Sequence, residues 1–179
     1  AVRETEARAK QSLEAAEGTM LNGPIQGGVF RELRHISAQL MGAHDFAVHP
    51  IGGIVPVMEQ QRYKEYAKIM MATLPLLPPD RPVHMFGCGH PMLFPMSIAL
   101  GADLFDSAAY ALFARDGRLL TPWGTERIDD LTDWPLLMPC VAGCTPAEVR
   151  AMEAEAKEGL LATYNLEVTL AELARCKQA

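Results

Sequence analysis

The sequence predicts an α/β protein in which parallel strands alternate with helices. Short apolar segments end near residues 25, 51, 86 and 106, and each is closed by Gly, Gln, His or Asp. Helical patterns separate these segments. Such an alternation is typical of a parallel sheet with helices outside it. Four strand–helix units in about 110 residues would make either a small doubly wound sheet or half of an eight-stranded barrel.

The first three helices are predicted from the spacing of apolar residues. Residues 1–17 carry one apolar face, and residues 30–41 and 57–73 repeat the pattern after short strands that end near residues 25 and 51. The expected inward residues of the second helix are Phe30, Leu33, Ile36 (or Ser37), Leu40 and Met41. Those of the third helix are Met58, Tyr63, Tyr66, Ile69 and Met70.

The next unit brings glycines and a carboxylate to the ends of neighbouring strands. Val83-His-Met-Phe86 is predicted as a buried strand, followed by the tight turn Gly87-Cys88-Gly89 and a helix over 91–99. A second short strand ends at Asp106. Two strands joined by one helix run parallel, and ligands of α/β proteins bind at the carboxyl ends of such strands. We therefore expect the chemistry of this chain at that edge.

After Tyr110 the alternation of strands and helices stops. Residues 114–118 are predicted as a charged turn and residues 119–122 as a short extension. Thr145, followed by proline at the first helical position and glutamate at the third, is typical of a helix start. The tail, 160–179, is predicted as one or two helices whose inward residues are leucines: Leu160, Leu161, Leu166, Leu170 and Leu173.

The composition indicates a globular protein of the reducing cytoplasm. Of its 179 residues, 49% are hydrophobic and 21% are charged, as in ordinary globular domains. Four cysteines do not make a disulfide framework in a chain of this size. No apolar run approaches about 18 residues and no export signal is visible, so no membrane partner is expected. The net charge of −6 argues against a globally basic nucleic-acid surface but not against a local basic patch.

Four segments, in order along the chain, resemble one enzyme family. They resemble archaeal tRNA-guanine transglycosylases, the enzymes of archaeosine synthesis, over most of residues 18–130. The segments are Pro24-Ile-Gln-Gly-Gly28, Pro50-Ile-Gly-Gly-Ile-Val-Pro-Val-Met-Glu59, Arg81-Pro-Val-His-Met-Phe-Gly-Cys-Gly-His-Pro91 and Leu104-Phe-Asp-Ser-Ala-Ala-Tyr-Ala-Leu-Phe-Ala-Arg-Asp116.

This resemblance implies the architecture in more detail. It implies that residues 1–130 form the second half of a (β/α)8 TIM barrel, with about four βα units, and that residues 131–179 form a small, mostly helical part like the family's zinc subdomain. The chain also opens on Ala1 inside a helical pattern, which suggests a piece of a longer protein.

The resemblance implies that Asp106 is the catalytic nucleophile. An ionised carboxylate would displace guanine from C1′ of its ribose and form a covalent ribosyl ester, which a 7-deazaguanine then attacks. From the residues alone, Asp106 is as well explained as a cap of the following turn, and Asp103 is interpreted as structural.

Base recognition is assigned by the resemblance to the other strand ends. Gln26 with Gly27, and Gly52 with Gly53, are predicted to bind the substrate base, since a planar base needs an amide along its edge and bare backbone close to it. The alternative is that these glycines only make tight βα turns.

Contacts to RNA are predicted just after the nucleophile. Arg115 and Arg118, with Arg127, form a modest basic group in the region that the resemblance places near the RNA backbone. Three arginines in a charged turn are also common on an ordinary solvated surface. His90 is interpreted as part of a helix-starting turn rather than as a catalytic group.

The zinc motif of the family is degraded in this sequence. The family's site resembles Cys-x-Cys-x-x-Cys followed by a distant histidine before Asn-Leu, whereas this chain has only Cys140 and Cys144 there, and Tyr164 precedes Asn165-Leu166. Four tetrahedral ligands cannot be assembled locally. We therefore predict no structural zinc and no other cofactor, with Trp123, Trp134 and leucines holding this part together.

The leading functional interpretation is a pentosyltransferase that exchanges guanine in tRNA for a 7-deazaguanine (preQ0), and that is inactive as the isolated fragment. The expected partners are tRNA, preQ0 and either a second copy or a complementary N-terminal half. Two alternatives are an archaeosine synthase paralogue, which modifies the inserted base, and a non-catalytic tRNA-binding partner subunit.

Overall fold

A three-stranded parallel sheet forms the frame of the first of two compact units in the computed structural model, which describes residues 1–178. The first unit comprises residues 1–88 and 96–106, and the second comprises residues 89–95 and those from Ser107 onward. Residues 107–130 thus group with the C-terminal helices. The division into a barrel half over 1–130 and a subdomain over 131–179 stays a prediction.

The sheet of the first unit has the order β1-β2-β3. Its strands are β1 (His49–Ile51), β2 (Val83–Met85) and β3 (Leu104–Phe105), with His49 beside Val83 and Met85 beside Phe105. Residues 22–25 make two isolated parallel bridges rather than the predicted strand: Asn22 pairs with Val48, just before β1, and Ile25 pairs with Ile51 in β1. Pro24 and Pro50 lie in this pair and donate no hydrogen bond, so the ladder stays short. The α/β class and the parallel pairing are confirmed.

Helices connect these strands as the sequence predicts, with different boundaries. They are α1 (Val2–Ala15), α2 (Arg31–Gly42), α3 (Val55–Glu59), α4 (Tyr63–Thr73) and α5 (Phe94–Ala99), with 3₁₀ turns at Leu74–Leu76 and Pro91–Leu93. The helix predicted over 57–73 is therefore two helices, because Gln61 adopts φ of 55° in the left-handed region and ends the first one.

The inward face of α2 differs from the apolar stripe that the sequence predicts. Phe30, just before the helix, and Leu33 remain 63% and 42% exposed, and Ile36 is also exposed. The buried residues are Arg34, Ser37, Ala38 and Met41. Polar groups on the inner face bind the backbone of the preceding loop, which a purely hydrophobic pattern does not anticipate. In α4, Tyr66, Ile69 and Met70 are buried as predicted, whereas Tyr63 of α4 and Met58 of α3 are only half-buried.

The second unit is a β-hairpin surrounded by helices. Helix α6 (Ala109–Arg115) leads into β4 (Arg118–Thr121), which pairs antiparallel with β5 (Gly124–Arg127). The sequence predicts the first strand as an extension but not the second. Helices α7 (Pro146–Arg150) and α8 (Ala154–Cys176) follow, with 3₁₀ turns at Ile128–Asp130 and Pro139–Val141.

The core of the second unit contains eight fully buried side chains. They come from α6, both helices at the C-terminal end and the segments between: Ala114, Leu119, Ile128, Val141, Val149, Leu161, Tyr164 and Val168. Thr145 and Glu148 form the predicted reciprocal cap at the start of α7. Trp134 packs against this core, whereas Trp123 is 57% exposed, so the prediction for Trp123 is wrong.

The tail is one continuous helix, and its buried face is partly polar. Of the five leucines predicted to point inward, Leu161 is buried and two, Leu166 and Leu170, are exposed. Asn165 is buried instead, because its side chain donates to the carbonyls of Tyr110 and Arg118 and accepts from the Leu120 N–H. Within residues 1–178, no helix is both long and apolar enough to cross a membrane.

Candidate active site

Asp106 directly follows β3 and is anchored through one carboxylate oxygen. Oδ1 accepts a hydrogen bond from the Gly87 N–H at 2.9 Å and lies 2.7 Å from His84 Nε2. No donor in residues 1–178 reaches Oδ2 in the structure, and the side chain is 51% exposed. One oxygen of this half-exposed carboxylate is thus anchored while the other accepts no hydrogen bond from residues 1–178, which is an arrangement that suits an attacking carboxylate.

His84 is the less expected partner of this carboxylate. It lies in the middle of β2, its side chain is only 17% exposed, and its ring packs beside that of Phe86 with centroids 5.5 Å apart. An ionised carboxylate only accepts hydrogen bonds, so Nε2 carries the hydrogen and donates it to Asp106. Sequence reasoning missed this pair, although His84 lies within one predicted strand and Asp106 ends the strand predicted to be its neighbour.

Gly87 fits its place for two reasons. Its φ of +74° lies in the left-handed region, and a Cβ there would sit 2.7 Å from a methyl of Val55. From this turn the Gly87 N–H donates to Asp106 Oδ1. The glycine therefore serves the position of the carboxylate and not only a tight turn.

A buried hydroxyl and thiol network lies beneath this turn. Tyr66 Oη is 2.7 Å from Ser97 Oγ and 3.5 Å from Cys88 Sγ, and all three side chains are buried. Burial raises the pKa of the Cys88 thiol to about 11 and also raises the pKa of the Tyr66 hydroxyl. Both groups stay neutral near pH 7, so Cys88 supports the turn and is not a nucleophile.

Gln26 and the Gly52-Gly53 pair are brought into contact. The Gln26 side chain lies over Gly52, where a Cβ would be only 2.5 Å from its Nε2. The Gln26 backbone N–H donates to Ser37 Oγ at 2.9 Å, which fixes the loop on α2. Gly27 fits closely against the same helix, since a Cβ there would lie 2.8 Å from the backbone nitrogen of Arg34. The two glycine loops predicted to bind the base are thus neighbours.

Arg34 is the residue of this site that the sequence does not predict. Its side chain is fully buried, and its guanidinium donates to the carbonyls of Gly28, Ile25 and Gly52 at 2.7, 3.2 and 2.8 Å. Burial lowers its pKa to about 10, so it stays charged at neutral pH. Arg34, Ser37 and Met41 are three and four residues apart and therefore lie on one helical face. This spacing is the sequence signal from which a partly polar inner face could have been predicted.

These groups share one edge of the parallel sheet. Gln26 follows the bridged segment 22–25, Gly52 follows β1, Gly87 follows β2 and Asp106 follows β3. All four are at carboxyl ends, where parallel strands leave their ligand sites.

Comparison with known proteins agrees with this arrangement. A family model described as Queuine tRNA-ribosyltransferase matches residues 1–179. The chain belongs to this family.

Individual archaeal members of the family are close in sequence. The chain is 46% identical to a tRNA-guanine(15) transglycosylase of Pyrococcus abyssi over 96% of its own length, and 47% identical to one of Methanocaldococcus jannaschii over 98%. A third, from Thermococcus kodakarensis, is 45% identical over 96% of this chain. The chain spans only 28% to 30% of the length of these relatives.

The residues present do not fit the zinc site expected of this family. Tyr164 stands where the resemblance places the histidine; its ring stacks on Trp134 at 5.2 Å, and its hydroxyl accepts from the Leu136 N–H at 3.2 Å. Burial, with the nearby Glu167 carboxylate, raises the pKa of Cys140 to about 12, which disfavours a thiolate ligand. Across residues 1–178, no three His, Cys, Asp or Glu side chains are grouped to hold a metal. That the protein binds no zinc stays a prediction.

The predicted RNA contacts lie in the second unit and are engaged with other side chains. Arg115 lies 3.4 Å from Glu158, and Arg118 lies 2.7 Å from Asp116 with its guanidinium 4.0 Å above the Phe113 ring. These pairs are solvent-exposed and exchange partners at low cost. Binding of RNA by the two arginines stays a prediction.

His90 caps a short turn in the second unit. Its Nδ1 accepts from the Met92 N–H at 3.3 Å, so Nε2 carries the hydrogen and donates to Thr125 Oγ1 at 3.0 Å. Burial lowers its pKa to about 4. The imidazole is neutral and both of its nitrogens are hydrogen-bonded, as a structural cap requires.

Proposed function

We propose that the intact protein exchanges guanine in tRNA for a 7-deazaguanine, preQ0 in the archaeosine route, through a covalent ribosyl-aspartate at Asp106. Membership of the family and the names of the archaeal relatives support the tRNA base-exchange class. The observation that carries the proposal is the carboxylate of Asp106, anchored at one oxygen and open at the other.

The first chemical step is a displacement at the ribose. Oδ2 of Asp106 attacks C1′, a C–O bond forms, and the C1′–N9 bond breaks with its electron pair leaving on guanine. Oδ1 becomes the carbonyl oxygen of the resulting ester and keeps the hydrogen bonds from His84 and Gly87. Water must be kept from the ester, because hydrolysis would leave an abasic ribose in the tRNA.

The second step reverses the first with another base. N9 of the 7-deazaguanine, after loss of its proton, attacks C1′, and the C–O bond breaks to restore the Asp106 carboxylate. Two inversions at C1′ give net retention. The base that takes this proton is proposed to lie in the part of the barrel outside these residues, on the same polypeptide or on a complementary one. This agrees with the 28% to 30% of relatives that the chain covers.

The glycine loops supply the proposed base site. The amide of Gln26 has one donor and one acceptor for the edge of a base, and Gly52 and Gly53 leave backbone that a planar ring can approach. Both bases of the exchange carry the same 2-amino-6-oxo edge, so one set of groups serves both.

Trapping of the covalent intermediate tests the proposal. The intact protein is incubated with tRNA and analysed on a denaturing gel, as wild type, as Asp106→Asn and as Asp103→Asn. Asp103 is the matched control, because its carboxylate accepts from the Val83 N–H at 2.8 Å and the asparagine keeps that acceptor oxygen. We expect an RNA-bound protein band from the wild type and from Asp103→Asn.

We expect no band from Asp106→Asn, although its tRNA binding persists. A band of normal intensity from Asp106→Asn contradicts the proposed mechanism. Absence of a band from every protein, with tRNA binding retained, would favour the synthase or partner interpretation instead.

A further inference from the structure

We propose that Arg34 is a positioning residue that presents the Gly53 N–H to the oxo group of the bound base and strengthens that donor. This inference rests on the proposed function, and it assigns a role to a buried arginine that makes no direct contact with a ligand.

The first step concerns the direction of the Gly52–Gly53 peptide. Arg34 Nη2 donates to the Gly52 carbonyl at 2.8 Å. The C=O and N–H of a trans peptide point in opposite directions, and the described chain has no cis peptide. The guanidinium therefore draws the carbonyl inward and turns the Gly53 N–H outward, away from the protein interior.

The second step concerns the partner of that N–H. Within residues 1–178, no acceptor of the protein binds the Gly53 N–H, and Gly53 is exposed, with φ of +67°. The Gln26 side chain lies against the preceding glycine. A free, outward-pointing donor next to an amide side chain is suited to the edge of a base.

The third step concerns charge. Burial lowers the pKa of Arg34, and within residues 1–178 no carboxylate forms an ion pair with its guanidinium. Its three partners are all backbone carbonyls. A carbonyl that accepts from a cation becomes more polarised, and its peptide N–H becomes a stronger donor. The positive charge of Arg34 thus acts on the ligand by polarising the Gly52–Gly53 peptide group.

The fourth step identifies the ligand atom. Guanine and a 7-deazaguanine share the 6-oxo group, whereas N7 is absent from the second base. A donor that serves both bases therefore has the oxo group as its natural acceptor on that edge. When the C1′–N9 bond breaks, the leaving base gains negative charge that is delocalised partly onto this oxygen. The polarised N–H then binds the departing base more tightly than the nucleoside.

The experiment compares two free bases, of which the second lacks the 6-oxo group together with the N1 hydrogen that accompanies it. Dissociation constants of guanine and of 2-aminopurine, which lacks the oxo group, are measured for the intact protein as wild type, Arg34→Met, Arg34→Lys, Ser37→Ala and Arg31→Met. Ser37→Ala loosens the same loop by removing the acceptor of the Gln26 N–H, but it leaves the Gly52 carbonyl on Arg34. Arg31 is an exposed arginine on the same helix.

We expect Arg34→Met to weaken guanine at least about tenfold more than 2-aminopurine, in line with the loss of one charge-strengthened hydrogen bond. Ser37→Ala should weaken both bases alike, and Arg31→Met should bind both as the wild type does. Arg34→Lys keeps the positive charge but cannot donate to all three backbone carbonyls. We therefore expect it to weaken guanine binding selectively, but by less than Arg34→Met does. That variant carries the test if Arg34→Met does not fold.

The proposal is overturned if the Arg34 variants weaken both bases equally, as a merely structural residue would, or if the wild type does not prefer guanine to 2-aminopurine. Covalent trapping at Asp106 is independent of this comparison. The two failures are therefore distinguishable, since a protein that traps tRNA through Asp106 but shows no oxo-specific effect refutes only the role of Arg34.

Discussion

The two oxygens of the Asp106 carboxylate have different roles in the proposed mechanism, because only one of them is hydrogen-bonded to His84. His84 Nε2 and the Gly87 N–H both bind Oδ1. In the proposed mechanism, these two hydrogen bonds would orient the attacking oxygen Oδ2 before the ester forms. In the proposed ribosyl ester they would bind the carbonyl oxygen, where negative charge returns when the ester breaks. We therefore expect the His84 imidazole to help the departure of Asp106 more than its attack.

Replacing His84 should consequently slow the second step. His84→Phe keeps an aromatic ring but removes the donor, and we expect base exchange to slow by about 10- to 100-fold, the range for loss of a hydrogen bond to a charged group. The covalent band should persist or increase, because the first step is less affected. His84→Gln retains an N–H and should recover part of the rate. Single-turnover measurements that show normal ester breakdown in His84→Phe would exclude this role.

At the scale of elements, the sequence predicts what depends on periodicity and misses what depends on polar contacts. The parallel order of β1, β2 and β3 and the reciprocal cap of α7 are confirmed, because alternation and cap residues are local signals. The inner faces of α2 and α8 are wrong in part, because Arg34 and Asn165 are buried by backbone groups distant in sequence. Hydrophobic spacing carries no information on those partners.

The candidate site divides in the same way. Asp106, Gln26 and the glycines are named from motifs that lie at predicted strand ends, and the structure groups Gln26 with Gly52 and Gly53. The contacts of His84 and Arg34 emerge only from the folded chain, since they join positions 22 and 18 residues apart. Motifs locate the reacting groups, whereas the residues that orient them are seen only once the elements have packed.

The turn capped by His90 should make stability depend on pH. Burial lowers the pKa of His90 to about 4 from 6.5, so the unfolded chain takes up a proton first as pH falls. Stability from the neutral imidazole is complete above about pH 6.5 and is lost toward pH 4, by up to about 1.4 kcal/mol per pH unit. His49, whose pKa is also lowered by burial, adds to this trend.

His90→Asn should flatten that dependence. Denaturant unfolding of the intact protein between pH 7 and pH 4.5 is expected to show the wild type losing stability faster than the variant as pH falls. Parallel curves for the two proteins would mean that His90 titrates as in the unfolded chain.

At the scale of the whole molecule, the two units differ in what their structures hold in place. The first gathers Gln26, Gly52, Gly87 and Asp106 on one edge of a parallel sheet. The second is held by an apolar core in which Tyr164, at the position where the resemblance places a zinc ligand, stacks on Trp134. We predict that this aromatic pair, with its hydrogen-bonded hydroxyl, holds the segment by apolar packing where a zinc subdomain would use a metal.

Removal of metal should therefore leave stability unchanged. Dialysis of the intact protein against a chelator is expected to shift Tm by less than about 1 °C, since a structural zinc contributes several kcal/mol and its loss would lower Tm by many degrees. Tyr164→Phe, which leaves the Leu136 N–H without its acceptor, should lower stability by about 1 kcal/mol. One zinc per chain, together with a large drop of Tm after chelation, would refute the metal-free interpretation.

The central claim is that Asp106 becomes esterified by the ribose of tRNA. The most direct measurement is peptide mass mapping of the trapped complex of the intact protein after digestion of its RNA by nuclease. We predict that the ribosyl mass lies on the peptide that contains Asp106, with the fragment ions locating it on that residue and not on Asp103 or Asp116. A ribosyl group on another residue, with an unmodified peptide around Asp106, would contradict the account.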